Sequence, residues 1–385
     1  MKALIITMHR PINYGSYLQA TATYKFVKNN GFDVDVIDYL YPNAYHQNNS
    51  YNFKREKRER EENEKQVVSL KKRVYEKIGR YLVRPNNTKK MTLFSEFYKK
   101  HITLTREYGS LEDLIACPPV ADVYITGSDQ VWNPLFTHHD TSFMFSWAPR
   151  SAKRISYSAS ISISDLPDEF VDDFKTNLSK YSFISTREKT DIIKKLIGKN
   201  SVDVLDPTFL LSSEEWKKYC SPKPLVEGKY ILCYLLEYSF SPFPFAYTLI
   251  EYIRKKTGYK VVMIDGECAN VLKGYKVFAN NGPAEFLNLF LNASFVITNS
   301  FHGTAFSLNF HKQFLAITNN QPTKDFRVRA ILEKLAIRTE CEVKNASNIE
   351  TLKLPNLDYS VIGNKLECLR NESKNFFKNA LKSNS

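Results

Sequence analysis

One pattern recurs along this 385-residue chain and limits what it can fold into. An apolar run of strand length ends in small and polar residues, and a helix-forming stretch or a tight turn follows. The first forty residues show it. KALIITMH leads through a turn into SYLQATATYKFVKNNG, and FDVDVIDYL follows. Leu18, Ala22 and Phe26 recur at approximate helical spacing, and Gly31 stands where a C-cap belongs. FDVDVIDYL alternates as a half-buried strand does. Strand, helix, strand is the opening of a parallel sheet, because parallel neighbours need a crossover connection and a helix is the usual one.

The pattern resumes after residue 92. LEDLIACPP reads as a short helix, ADVYITGS and AKRISYSAS as strands, DEFVDDFKTNLSKY as a helix, FISTRE as a strand, EKTDIIKKLIGKN as a helix, and VDVLDPTFLL as a strand running into a linker. SPKPLVEG (221–228) has two prolines and a glycine and marks a boundary. A second series follows: KYILCYLLEY, FAYTLIEYIRKKTG, YKVVMIDG, GPAEFLNLFLNA, SFVITNS, HGTAFSLNFHK, QFLAIT and DFRVRAILEKLA, alternating strand and helix. The expectation is an α/β protein of two Rossmann-like domains, 1–220 and 221–345, facing a cleft. A tail with one more helix occupies 346–385. In open parallel sheets ligands bind outside the carboxyl ends of the strands, so the polar residues ending each strand are the candidates for chemistry.

Residues 43–92 interrupt the alternation and read as an inserted basic helical arm. Between Lys54 and Lys90 there are 14 Lys/Arg against 6 Glu, a net of +8 out of +13 for the whole chain. Such a run reads either as a solvated helix face or as a surface that docks on anionic lipid. Basic residues there alternate with glutamates and no nucleic-acid reader motif appears, so nucleic acid is not expected as a partner. The six cysteines lack CxxC or metal-type spacing; buried free thiols are expected, and no metal and no cofactor. No apolar run reaches the ~18–20 residues that cross a bilayer, and MKALIITMHRP reads as a strand rather than a signal. The expectation is a cytoplasmic protein, peripheral at the inner membrane face if the basic arm docks.

Five strand ends have the polar grammar: INYGSYLQA (12–20), TGSDQVWNP (126–134), SYSASI (156–161), FISTREKT (183–190) and TNSFHGTAFSLNF (298–310). In the last, Ser300, His302 and Gly303 open a helix whose N–H groups and positive end suit a phosphate. Gly303 permits close approach to the backbone, and His302 either transfers a proton near neutral pH or caps the helix. Arg187, at the end of FIST, matches a carboxylate or phosphate bidentately, or else pairs with Glu188 or a neighbouring helix. Lys324 and Arg327 follow the next strand in NNQPTKDFR and stand where they can close on the same anion. On the first domain, Asn13, Gly15 and Gln19 border one turn, and Asp129, Gln130 and Asn133 another. Amides and a carboxylate without a metal motif suit a hydroxyl-rich ligand. Asp129 reads as a base or as an Asx-turn residue, and Trp132 as a platform for a sugar face or as loop packing.

NYGSYLQA, GSDQVWNP, ISYSAS, FISTREK, VLDPTFLL and TNSFHGTAFSL, in this order and spacing, resemble the polysaccharide pyruvyl transferase family over about residues 1–340. The resemblance implies a two-domain fold like that of GT-B glycosyltransferases. It implies transfer of a pyruvyl group from phosphoenolpyruvate to two sugar hydroxyls, as a ketal, in a cell-surface glycan (capsule or exopolysaccharide) or its polyprenyl-linked precursor. The family's donor site uses an arginine, the histidine of the helix-opening motif and a further basic residue; by motif these fall on Arg187, His302 and either Lys324 or Arg327. The chemistry asks for such groups independently. Phosphoenolpyruvate is highly anionic and needs cations, protonation of its enol methylene needs an acid, for which His302 is the candidate, and the attacking hydroxyl gains from a base, for which Asp129 is the candidate. A sugar-nucleotide glycosyltransferase on the same architecture is the alternative, with a diphosphate at the helix opened by His302.

Overall fold

The computed structural model describes residues 1–40, 70–163, 165–188, 191–237, 240–319 and 325–383, without the side chains of 70–72. Lys324 and the greater part of the expected arm, 43–69, lie outside the described residues. The described chain divides into two compact units, each on its own parallel sheet. Residues 1–40, 98–211 and 368–383 form the first, and 70–97 and 212–367 the second.

The first sheet contains β1 (Lys2–Ile6), β2 (Asp33–Tyr39), β3 (Leu104–Tyr108), β4 (Val123–Thr126) and β5 (Lys153–Ser156), in the order β3-β2-β1-β4-β5 with every neighbour parallel. Ile5 lies opposite Val36 on one side and Ile125 on the other, and Ile125 lies opposite Ile155. All four are fully buried, as expected of strands covered on both faces. The edge strand β3 escapes sequence reading because LTREY is mostly polar; pairing with β2, not its own pattern, makes it a strand. Helix α1 (Tyr14–Asn29) starts at Asn13, whose Oδ1 accepts the N–H groups of Gly15 and Ser16. A short pair, β6 (Ser185–Thr186) and β7 (Val202–Asp203), extends the layer beyond β5 through single bridges.

The second sheet contains β8 (Tyr230–Tyr234), β9 (Lys260–Ile264), β10 (Lys276–Phe278), β11 (Phe295–Thr298), β12 (Gln313–Thr318) and β13 (Glu342–Lys344), in the order β10-β9-β8-β11-β12-β13, again all parallel. Both sheets therefore wind alike. The chain starts in the middle, builds to one side, returns and builds to the other, which is the doubly wound order of a Rossmann-type sheet. The reversal falls between β1 and β4 in the first unit and between β8 and β11 in the second.

The unit boundaries differ from the sequence expectation in three places. The second unit starts at Ser212 rather than after residue 220, because Trp216 on the helix Ser213–Lys217 packs edge-on against Phe306. The described part of the arm, α2 (Leu70–Val83) and the start of α3 (Asn87–His101), is built into the second unit and not the first. Gly79 of α2 lies so close to Cys268 and Ala269 that a Cβ would meet their backbone at 2.4–2.5 Å; Glu76 accepts the Ala269 N–H, and Lys90 pairs with Asp265 at 2.6 Å. The tail is not separate either. Its helix α6 (Tyr359–Lys382) is counted with the second unit through Glu367 and with the first from Cys368. There Phe377 stacks on Tyr157 and Phe26 with centroids at 4.2 and 5.0 Å, and Ser373 Oγ accepts the Leu205 N–H. Of the six free cysteines Cys117 and Cys368 are exposed, which corrects the expectation that all are buried. No helix among the described residues is long and apolar enough to cross a membrane.

Candidate functional site

At the first unit's reversal, β1 ends in Thr7 and β4 in Gly127-Ser128-Asp129. Gly127 packs on Thr7: a Cβ there would stand 3.0 Å from the Thr7 Cβ. Thr7 Oγ1 donates to the Ser128 carbonyl at 2.8 Å and accepts from Gln19 Nε2 at 2.8 Å. Asp129 and Ser158, on adjacent strand ends, both have left-handed backbone, with φ of 75° and 58°. Such conformations cost of order 1 kcal/mol or more and gather where a site demands them. The Ser160 N–H donates to the Asp129 carbonyl, which carries the pairing of β4 and β5 past that irregularity.

Arg187 enters this layer from the end of β6 and is buried. Its Nη1 donates to Asp206 at 2.8 Å, Glu188 lies 3.7 Å from Nε, and Asp129 lies 3.8 Å from Nη2. Burial alone would lower the guanidinium's pKa; Asp206, Glu188 and Asp129 together more than offset that and raise it. Asp206 is itself held, accepting from Ser128 Oγ and from both the N–H and hydroxyl of Thr208. Three carboxylates within 4 Å of one guanidinium make this a buried ion cluster. Arg187 is therefore placed by its neighbours.

Several expected sugar contacts are structural in this layer. Trp132 corrects the platform reading: it is fully buried, edge-on to Tyr181 at 5.6 Å, with no face left for a sugar. Asn13 is the N-cap of α1, and Gly15 donates to it. Gln19 is fully buried, donating to Thr7 and to the Ser16 carbonyl. Asn133 caps the turn Pro134–Thr137 and donates to Gln130 Oε1; Gln130 is half-buried. Asp129 accepts from Ser16 Oγ at 2.8 Å and from the Gln130 N–H at 2.9 Å, the geometry of a loop anchor. Ser16, Thr7 and Asp206 were not singled out from sequence, whereas Glu188 was, as the alternative partner of Arg187. Of the first three only Asp206 had a local signal, the Asp-Pro-Thr cap within VLDPTFLL.

At the second unit's reversal, Asn299 accepts the Leu236 N–H at 2.7 Å and donates to the Leu236 carbonyl at 2.6 Å, tying the end of β11 to the loop after β8. Ser300 caps α4 (Phe301–Asn309), its Oγ accepting from the Gly303 N–H at 3.4 Å. His302 sits in the first turn of α4, largely buried, edge-on to the Phe301 ring. Gly303 differs from expectation. A Cβ there would stand 2.2 Å from Thr298 Oγ1, so the glycine admits a strand side chain from β11 and not a ligand. Every residue of α4 is buried. Helix α5 (Phe326–Lys334) follows β12, the parallel neighbour of β11, and packs beside α4. Arg327, half-buried in its first turn, thus belongs to the same sheet edge as His302. The strand end is braced by Asp325, which accepts the Asn319 N–H, and by Arg329, which donates to Glu342 at 2.7 Å.

A sequence model of one family, polysaccharide pyruvyl transferase, matches residues 13–321. Among curated protein sequences none matches significantly. Solved structures with related folds include a UDP-GlcNAc 2-epimerase from Methanocaldococcus jannaschii (12% identity, 96% of this chain and 93% of that one, TM-score 0.49). A glycosyltransferase from Rickettsia africae is another (12% identity, 97% and 93%, TM-score 0.44).

Proposed function

Because this chain belongs to the polysaccharide pyruvyl transferase family, we propose that it transfers the pyruvyl group of phosphoenolpyruvate to two hydroxyls of a sugar, in a surface glycan or its polyprenyl-linked precursor. The observation that carries this reading is the setting of His302. It lies in the first turn of a helix that opens at the sheet reversal, with Arg327 on the same edge. A helix N-terminus and a guanidinium suit a donor bearing both carboxylate and phosphate. Lys324 is the second cation of the proposal.

In the proposed reaction His302, as imidazolium, gives its proton to the enol methylene, which becomes the ketal methyl group. A sugar hydroxyl bonds to the carbon left electron-poor and loses its proton. The C–O bond to phosphate breaks, phosphate leaves with the bonding pair, and a second hydroxyl closes the ring with loss of its own proton. One phosphoenolpyruvate and two hydroxyls give one ketal and one phosphate. Arg187 is assigned to holding the first unit's strand ends in place, and Asp129 serves as base only if it exchanges its bond from Ser16 for one from the acceptor. Gln130, the half-exposed member of that loop, is the acceptor contact of the proposal.

Mass spectrometry of a lipid-linked oligosaccharide after incubation with phosphoenolpyruvate tests the reading. Gain of one pyruvyl unit with stoichiometric phosphate supports it. Incorporation of a sugar from a nucleotide donor instead would make the chain a glycosyltransferase. His302→Ala should cost about 10²–10⁴ in turnover with folding retained, as expected for loss of a general acid. Wild-type rates in that variant would remove His302 from the mechanism.

A further inference from the structure

Helix α2 presents its apolar stripe outward. On a helix of 3.6 residues per turn, Val74, Tyr75, Ile78, Tyr81 and Leu82 fall within an arc of about 120°, and all five are exposed, from 42% for Ile78 to 73% for Tyr81. The side that packs on the protein is a different one, made by Glu76 and Gly79 against Cys268 and Ala269. The third side is basic: Arg73, Lys77 and Arg80 share one arc bordering the stripe on the flank away from Gly79, and Arg84, just past the helix with left-handed backbone (φ 51°), sets its guanidinium over the Tyr81 ring at 5.8 Å. Arg80 pairs with Glu76 at 3.4 Å, whereas Arg73, Lys77 and Arg84 have no carboxylate partner among the described residues. On α3, Met91 is also 57% exposed. Water does not select a stripe of this kind, since a solvated helix has its polar side outward.

We infer that this face of the second unit docks on an anionic lipid bilayer, with Ile78, Tyr81 and Leu82 entering the headgroup–acyl boundary and Arg73, Lys77 and Arg84 meeting lipid phosphates. The match is one of charge and hydrophobicity together: an apolar stripe flanked by cations is what an interfacial helix lying in the membrane plane presents. A second copy of the same chain would bring equal cations against these and is disfavoured on that ground. Docking by this face holds the enzyme at the surface where a polyprenyl-linked acceptor is embedded, but it does not depend on the donor reading, because binding is measured without substrate.

Co-sedimentation of the full-length protein with phosphatidylcholine vesicles, with and without phosphatidylglycerol, tests it. Binding is expected only with phosphatidylglycerol and is expected to weaken as salt rises. Each cation removed in Arg73→Gln, Lys77→Gln and Arg84→Gln should weaken binding by about five-fold. Ile78→Glu with Leu82→Glu should weaken it about ten-fold or more, while Val361→Glu, at an exposed apolar position on α6, leaves it unchanged. Circular dichroism confirms that the variants fold, as substitutions at exposed positions should allow. No binding to phosphatidylglycerol vesicles at low salt would overturn the inference. So would wild-type binding by the stripe variant, or a dimer in sedimentation velocity that the stripe variant dissolves.

Discussion

Replacing Gly303 by alanine separates two meanings of one glycine. If the glycine exists to let a ligand reach the backbone, a methyl group there should impair catalysis and leave stability nearly unchanged. The structure puts Thr298 in the space instead. The added Cβ would stand 2.2 Å from Thr298 Oγ1 and 2.9 Å from its Cβ. Thr298 cannot rotate away without loss, because Oγ1 donates to the Tyr234 carbonyl at 2.7 Å and accepts the Ser300 N–H at 3.0 Å. Losing both bonds costs about 2 kcal/mol, and moving α4 away from β11 costs about 1–3 kcal/mol in strain. Alanine's better helix propensity returns about 1 kcal/mol. The net expectation is a loss of about 2–4 kcal/mol in the second unit, or roughly 4–16 °C in its melting temperature for a unit of this size. Calorimetry, with circular dichroism in urea, measures it. The double variant Gly303→Ala with Thr298→Ala should show a smaller alanine penalty at 303 than the single variant, because the two positions share the clash. Unchanged stability, or equal penalties in the two backgrounds, would refute the packing argument. Unchanged stability with lost turnover would return Gly303 to the donor site.

Three further outcomes follow from the same geometry. Arg187→Met should destabilise the first unit by about 3–5 kcal/mol in urea unfolding, because three carboxylates lose their counter-charge; Arg187→Lys should recover only part, since an ammonium cannot reproduce the guanidinium's fixed fork. Burial raises the Glu342 carboxyl, but bonds from Arg338, Thr318 and Arg329 outweigh it and hold it down at about 2 against an ordinary 4.5. A folded-state pKa below the unfolded one gives stability that is present above about pH 4.5 and drains as pH falls toward 2. Glu342→Gln should therefore cost of order 2 kcal/mol at pH 6, after allowance for solvent screening, and the gap to wild type should close at low pH in urea titrations; a pH-independent gap would refute it. Phe377→Ala should cost about 3–5 kcal/mol, read as an earlier unfolding transition of the first unit, because the ring is fully buried between Tyr157 and Phe26.

The strand and helix alternation was legible in the sequence because each buried parallel strand is a short apolar run and each crossover helix brings its own period and caps. Asn13 and Ser300 could be recognised at the starts of their helices for that reason. The carboxyl ends of β1, β4 and β11 could be recognised as the places for function because small and polar residues cluster where an apolar run stops. All of that is information stored within a few residues of where it acts. What Arg187 meets is different in kind. Asp206, Glu188 and Asp129 surround it only because three strand ends converge, and no local pattern records a convergence. Trp132 reads as a sugar platform until Tyr181 arrives against it, and Gly303 as a ligand contact until Thr298 fills its place. The arm reads as one charged run, yet Gly79 docks α2 on the Cys268–Ala269 backbone and turns the apolar stripe outward. Periodicity determined which segments are strands and helices; which neighbour each side chain faces was decided by tertiary packing, because close contacts between distant segments exclude or recruit a residue whatever its local sequence says.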